Sequence, residues 1–162
     1  SLAAMLFYIW IRFEWQFSLG AIIALIHDVI ITVGIFSFLS YEVNLSIVAA
    51  VLTIVGYSMN DTVVIFDRVR ENLKKYSKIS IIEISDLSTN QTLSRTLITS
   101  ITTLLALFSI YIFGGAILKG FSFAMIIGVI VGTYSSIFVA TPILNYTNVN
   151  QKTILKEDKE NI

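Results

Sequence analysis

Residues 45–66 read LSIVAAVLTIVGYSMNDTVVIF, and this stretch decides the fold class. At 1.5 Å per residue it makes a helix about 33 Å long, enough to cross a hydrocarbon core of about 30 Å. Its only ionisable acid is Asp61, set between Asn60 and Thr62. A second run of the same kind precedes it, Phe17–Leu39, broken only by His27 and Asp28, and just Tyr41–Asn44 lies between the two. So short a link makes the two runs antiparallel neighbours. Thr96–Phe113 and Phe121–Leu144 are two further spans, and Leu2–Ile11, closed by Arg12, Glu14 and the Trp10/Trp15 pair, is the end of another. The expectation is an all-α polytopic membrane bundle with five spans over 2–11, 17–39, 45–66, 96–113 and 121–144. A polar segment over 67–95 and a polar tail over 145–162 lie outside the membrane.

Composition agrees with this reading. Over 162 residues, 56% are hydrophobic and 14% charged, with a mean hydropathy of +0.82, against roughly a quarter charged in a soluble domain. With no cysteine and one histidine, a disulfide framework, a thiolate site, a cysteine nucleophile and a histidine-rich metal centre are all disfavoured. No phosphate loop, nucleophile elbow or zinc motif occurs, so neither a cofactor nor enzymatic chemistry is expected. A net charge of zero gives no reason to expect a nucleic-acid partner. The chain opens at Ser1 inside an apolar run with no basic region ahead of it. It is therefore expected to continue upstream, and Ser1–Ile11 is not a signal peptide.

The distribution of charge sets the orientation. Alternating the spans places Arg12, Arg68, Arg70, Lys74, Lys75, Lys78, Arg95, Lys152, Lys156 and Lys159 on one side and Lys119 alone on the other. By the positive-inside rule the basic side, with the C-terminus, is cytoplasmic. Within 67–76, the apolar residues Val69, Leu73 and Tyr76 continue from Phe66 at helical spacing. They predict a helix lying on the membrane surface.

Ionisable groups at membrane depth cost roughly 2.5 to 3.5 kcal/mol each on insertion scales and so point to function. Asp61 lies about 8 Å inside the basic end of its span. It is a candidate for binding and releasing a proton, with Asn60 and Thr62 beside it and Gly56 allowing close helix approach. Arg95, within Ser94-Arg95-Thr96, falls in the same half of the membrane, where a salt bridge to Asp61 is geometrically open. Snorkelling to the headgroups is the alternative. The hydroxyls of Thr96, Thr99, Ser100 and Thr103 form a stripe that either bonds across helices or folds back on its own backbone. His27 and Asp28 sit mid-span, as a proton relay or as a structural latch. Gly128 and Gly132 have the G-x-x-x-G spacing of close helix packing.

These motifs together carry a resemblance. Gly56-Tyr57-Ser58-Met59-Asn60-Asp61-Thr62-Val63-Val64-Ile65-Phe66-Asp67-Arg68-Val69-Arg70-Glu71-Asn72 closely resembles the SecF-type signature of the SecD/SecF protein-export family, in the resistance-nodulation-division (RND) superfamily. Arg12-Phe13-Glu14-Trp15, His27-Asp28, Asn90 to Thr96, Phe113-Gly114-Gly115 and Gly132 to Phe138 resemble further motifs of that family, in order and spacing. The resemblance implies spans two to six of a six-span unit, the first span and a periplasmic domain lying upstream. It implies an accessory of the Sec translocase in the bacterial inner membrane that uses the proton motive force. Asp61 and Arg95 would conduct protons, and His27, Asp28, Asn60, Thr62, Ser94, Thr96 and Thr99 are candidates for support or relay. The implied partners are SecD, the SecYEG translocon, YajC, YidC, the exported preprotein and the lipid bilayer. A small-molecule or lipid exporter of the same superfamily, and a non-conducting scaffold, are the alternatives.

Overall fold

The computed structural model describes residues 15–40, 44–76, 79–147 and 149. Among these, four helices are long and apolar enough to cross a membrane. The expected span over 2–11 and most of the tail lie outside the described residues. Helix α1 runs Trp15–Phe38, α2 Leu45–Lys75, α3 Ile81–Phe113 and α4 Gly115–Ser135. A π-helical turn, Ser136–Ala140, then leads into a short α5, Thr141–Tyr146.

Three boundaries differ from expectation. The polar stretch after Phe66 does not form a separate surface helix, because α2 continues unbroken to Lys75. Likewise α3 begins fifteen residues before Thr96. Val69, Leu73 and Ile84 are buried in one cluster with Phe66, so the apolar stripe faces the neighbouring helix instead of lipid headgroups. The amphipathic period is the same in both cases. Ser80 caps α3: its hydroxyl accepts from the Glu83 amide while the Glu83 carboxylate accepts from the Ser80 amide, a capping box. At the other end the expected loop over Gly114–Gly120 shrinks to Gly114, because α4 starts at Gly115, whose φ of +75° suits glycine.

Helix α4 packs against all three other long helices, and α2 packs against α1, α3 and α4. The bundle is therefore a diamond with α2 and α4 across its short diagonal and α1 and α3 at its outer corners. Gly128 makes the central contact possible, since a β-carbon there would overlap the side chain of Ile54 on α2. Gly132 is less tight, a β-carbon there standing 3.0 Å from that of Ser58. Two apolar clusters fill the interior. One gathers Phe17, Ala21, Leu25, Phe66, Val69 and Leu144 towards the basic end; the other gathers Phe36, Ile47, Ala50, Ile54, Leu107 and Val129 towards the opposite end.

Candidate functional site

Between the two clusters lies a layer of oxygen atoms. Asp28, wholly buried on α1, accepts from the Ser58 hydroxyl of α2 at 2.5 Å and from the Ser135 hydroxyl of α4 at 2.8 Å. Its other carboxylate oxygen lies 3.1 Å from Nδ1 of His27, whose ring stacks on Tyr134 with centroids 6.5 Å apart. A buried carboxylate is costly unless its lone pairs are filled. Here hydroxyls from two other helices fill them, so Asp28 ties α1, α2 and α4 at one level. One turn along α2, the Thr62 hydroxyl donates to the Ser58 carbonyl at 3.2 Å and bonds the Ser136 hydroxyl at 2.9 Å. Ser136 opens the π turn, and its carbonyl accepts from Thr141 Oγ1 at 2.9 Å. A π turn places one extra residue in the helix. Here it stands just ahead of Pro142, which has no N–H to continue the ladder.

Asp61 belongs to the same face of α2 but is placed differently. Its side chain is buried, and Oδ2 has no hydrogen-bond partner. No ion pair joins it to Arg95 among the described residues. The register of the antiparallel α2–α3 pair sets their relative heights. Tyr57 Oη meets Thr103 Oγ1 at 3.3 Å, Arg68 Nε donates to Gln91 Oε1 at 2.7 Å, and Asn72 Nδ2 donates to Ser88 Oγ at 2.8 Å. Stepping four residues along each helix from the Tyr57–Thr103 pair brings Asp61 level with Thr99. Arg95 stands one turn, about 6 Å, nearer the basic end. There it lines an open pocket of about 310 Å³ together with Asp67, Arg68, Glu71 and Gln91.

The other candidates separate. Asn60 and Ser94 are exposed, Thr96 is buried and Gly56 is half-buried. Thr99 bonds only carbonyls of its own helix, those of Arg95 at 3.1 Å and Thr96 at 2.9 Å. Ser100 does reach across, to Thr133 Oγ1 at 2.7 Å, so the hydroxyl stripe is cross-linking at some positions and self-bonded at others. Sequence reasoning did not single out Ser135 and Ser136 as site residues. Their signal is a hydroxyl pair placed directly after the Gly128–Gly132 spacing. It also passed over Asn72, Ser88 and Gln91, which nothing in a polar amphipathic helix distinguishes from solvated residues.

The model of the family "Protein export membrane protein SecD/SecF, C-terminal" matches residues 1–150. The chain belongs to this SecD/SecF family. Within it, the chain is 53% identical over 96% of its length to protein translocase subunit SecF of Rhodobacter capsulatus. It is 57% identical over 89% of its length to the SecF subunit of Rickettsia bellii. It covers 46% and 48% of those two proteins, so it spans about half the length of the curated relatives it matches. Among solved structures it is similar to SecDF from Thermus thermophilus, a translocon-associated membrane protein, with a TM-score of 0.86 and 44% identity; the match covers 91% of this chain and 21% of that one. A second SecDF crystal structure, in a super-membrane-facing form, matches with a TM-score of 0.86 and 42% identity over 98% of this chain and 21% of its own. The all-α membrane bundle expected from the sequence is the fold of this SecF-type unit.

Proposed function

We propose that this SecF-type bundle works as an accessory unit of the Sec translocase in the bacterial inner membrane. Together with SecD it uses the proton motive force to promote late steps of preprotein export through SecYEG, with YajC and YidC as further partners. In this reading it is not an enzyme; its cycle is one of protonation and shape. The C-terminus faces the cytoplasm, and the preprotein is engaged by a periplasmic domain of the longer protein.

One observation carries the proposal: Asp61 is buried within a membrane-spanning helix with Oδ2 unpartnered, and among the described residues no ion pair joins it to Arg95. A carboxylate locked into an ion pair holds its charge, whereas one left open can load and unload a proton. Moving one charge through the membrane field provides about 2.3 kcal/mol per 100 mV, enough to bias two conformations whose energies are close. Asp28, whose lone pairs are filled from two other helices, acts instead as the latch around which the bundle is assembled. His27 orients it and rests on Tyr134.

The test is export from inverted membrane vesicles carrying the full-length protein with SecD, at matched amounts and matched association. Asp61→Asn should abolish the part of export that depends on the proton motive force and spare the part that does not. Unchanged stimulation would make Asp61 a packing residue and favour the scaffold reading. Stimulated efflux of a small amphiphile, with no effect on export, would favour the exporter reading.

A further inference from the structure

We propose that Gln91 is a positioning residue: the Arg68–Gln91–Asn72 clamp fixes the α2–α3 register that holds Arg95 one turn away from Asp61. This inference rests on the proton-handling reading of Asp61. Oε1 of Gln91 accepts from two residues of α2 at once, from Arg68 Nε at 2.7 Å and from Asn72 Nδ2 at 2.9 Å. Asn72 is itself buried and also donates to the buried Ser88, and Arg68 is braced by Glu71 at 2.5 Å.

The bonds fall in layers up the seam between α2 and α3. Ser88, Gln91 and Arg95 are spaced three and four residues apart on α3 and so share a face. Asp61, Arg68 and Asn72 share the matching face of α2, seven and then four residues apart. Gln91 therefore sits one turn from Arg95, the arginine whose height it would set, in the wall of the same pocket that Arg95 opens into. With the clamp closed, the guanidinium stays in that pocket. Without it, the ends of α2 and α3 are free to slide or splay, and Arg95 can reach Asp61 and pair with it. The clamp thus keeps the carboxylate unpaired and exchangeable. The ionisable groups on the elements packed around Asp61 include Tyr57, Asp67, Arg68, Arg70 and Glu71 on α2, Asp86, Arg95 and Tyr111 on α3, His27 and Asp28 on α1, and Tyr134 on α4.

The test reads Asp61 directly. Dicyclohexylcarbodiimide reacts with protonated carboxyl groups inside membranes, and mass spectrometry quantifies its adduct at Asp61 in the full-length protein assembled with SecD. Gln91→Leu removes both acceptor contacts, and labelling should fall about threefold or more as Arg95 pairs with the carboxylate. Gln91→Glu keeps an acceptor for both donors and should label at the parental rate, a rescue that a purely structural position would not single out. Arg68→Met, at a side chain on the rim of the pocket, should lower labelling in the same direction and substitutes for Gln91→Leu if that variant fails to assemble. Unchanged labelling in an assembled Gln91→Leu or Arg68→Met protein, or an equal loss in Gln91→Glu, would overturn the proposal. Asp61→Asn separates this from the reading beneath it. If export is indifferent to Asp61→Asn, proton coupling fails, while the labelling still decides whether Gln91 positions Arg95.

Discussion

Placing a methyl group at Gly128 tests the central α2–α4 contact. A β-carbon at this position would lie inside the van der Waals envelope of three side-chain atoms of Ile54. Ile54 is itself almost wholly buried, among Phe36, Ala50 and Val129. It cannot swing into open space, so the two helices must part or Ile54 must leave its rotamer. Overpacking of this kind costs about 1–3 kcal/mol. Ile54→Ala removes all three clashing atoms and should itself cost roughly 2–5 kcal/mol through the cavity it leaves. In that background the alanine at 128 has room and fills part of the void. The double variant should therefore be no less stable than Ile54→Ala alone, with a coupling of at least about 1 kcal/mol between the two sites. Equilibrium unfolding of the full-length protein in mixed micelles, titrated with dodecyl sulfate and followed by circular dichroism, measures all four corners of the cycle. Additive effects, agreeing within about 0.5 kcal/mol, would refute the close-approach account of Gly128.

Asp28→Ala should destabilise the bundle by roughly 1–3 kcal/mol, because the buried Ser58 and Ser135 hydroxyls lose their shared acceptor; Asp28→Asn, which keeps one acceptor oxygen, should lose less in the same titration. Thr62→Val removes the cross-helix bond to Ser136 and should cost about 1 kcal/mol, whereas Thr99→Val, which gives up only bonds to its own helix, should leave both stability and stimulated export unchanged. Ser80→Ala opens the capping box and should weaken the start of α3 by about 1 kcal/mol, seen as faster hydrogen exchange at the Glu83 and Ile84 amides with exchange deep in the span unaltered.

The four spans among the described residues were legible in the sequence because lipid demands about 20 apolar residues of each one, and few sequences satisfy that by accident. Depth was legible too, so Asp61, Arg95, His27 and Asp28 could be found by counting inwards from the ends of spans. Partners were not. Nothing near Asp28 in the sequence indicates that its hydroxyl donors stand 30 and 107 residues away, because helix rotation about its own axis leaves no trace in hydropathy when all faces are apolar. The stripe of Phe66, Val69 and Leu73 announced a buried face on the polar extension of α2, but periodicity does not say what covers it. The cover is α3, with Ile84 in the same cluster. The Asp61–Arg95 geometry was left open by the sequence for a similar reason. Both residues were placed in the same half of the membrane, yet their relative height is set by the α2–α3 register, and only the cross-helix bonds reveal it.

The unbroken run of α2 from Leu45 to Lys75 has a mechanical meaning. Asp61 lies part-way along a stiff rod, with fourteen residues, about 21 Å, between it and the rod's basic end. A tilt of only ~5° about the level of Asp61 would carry Lys75 sideways by ~2 Å, more than the slack in any of the hydrogen bonds that join it to α3. The α2–α3 hairpin is in this sense a lever whose fulcrum is the oxygen layer, and a small change of tilt there is expressed as a sideways displacement of the tip.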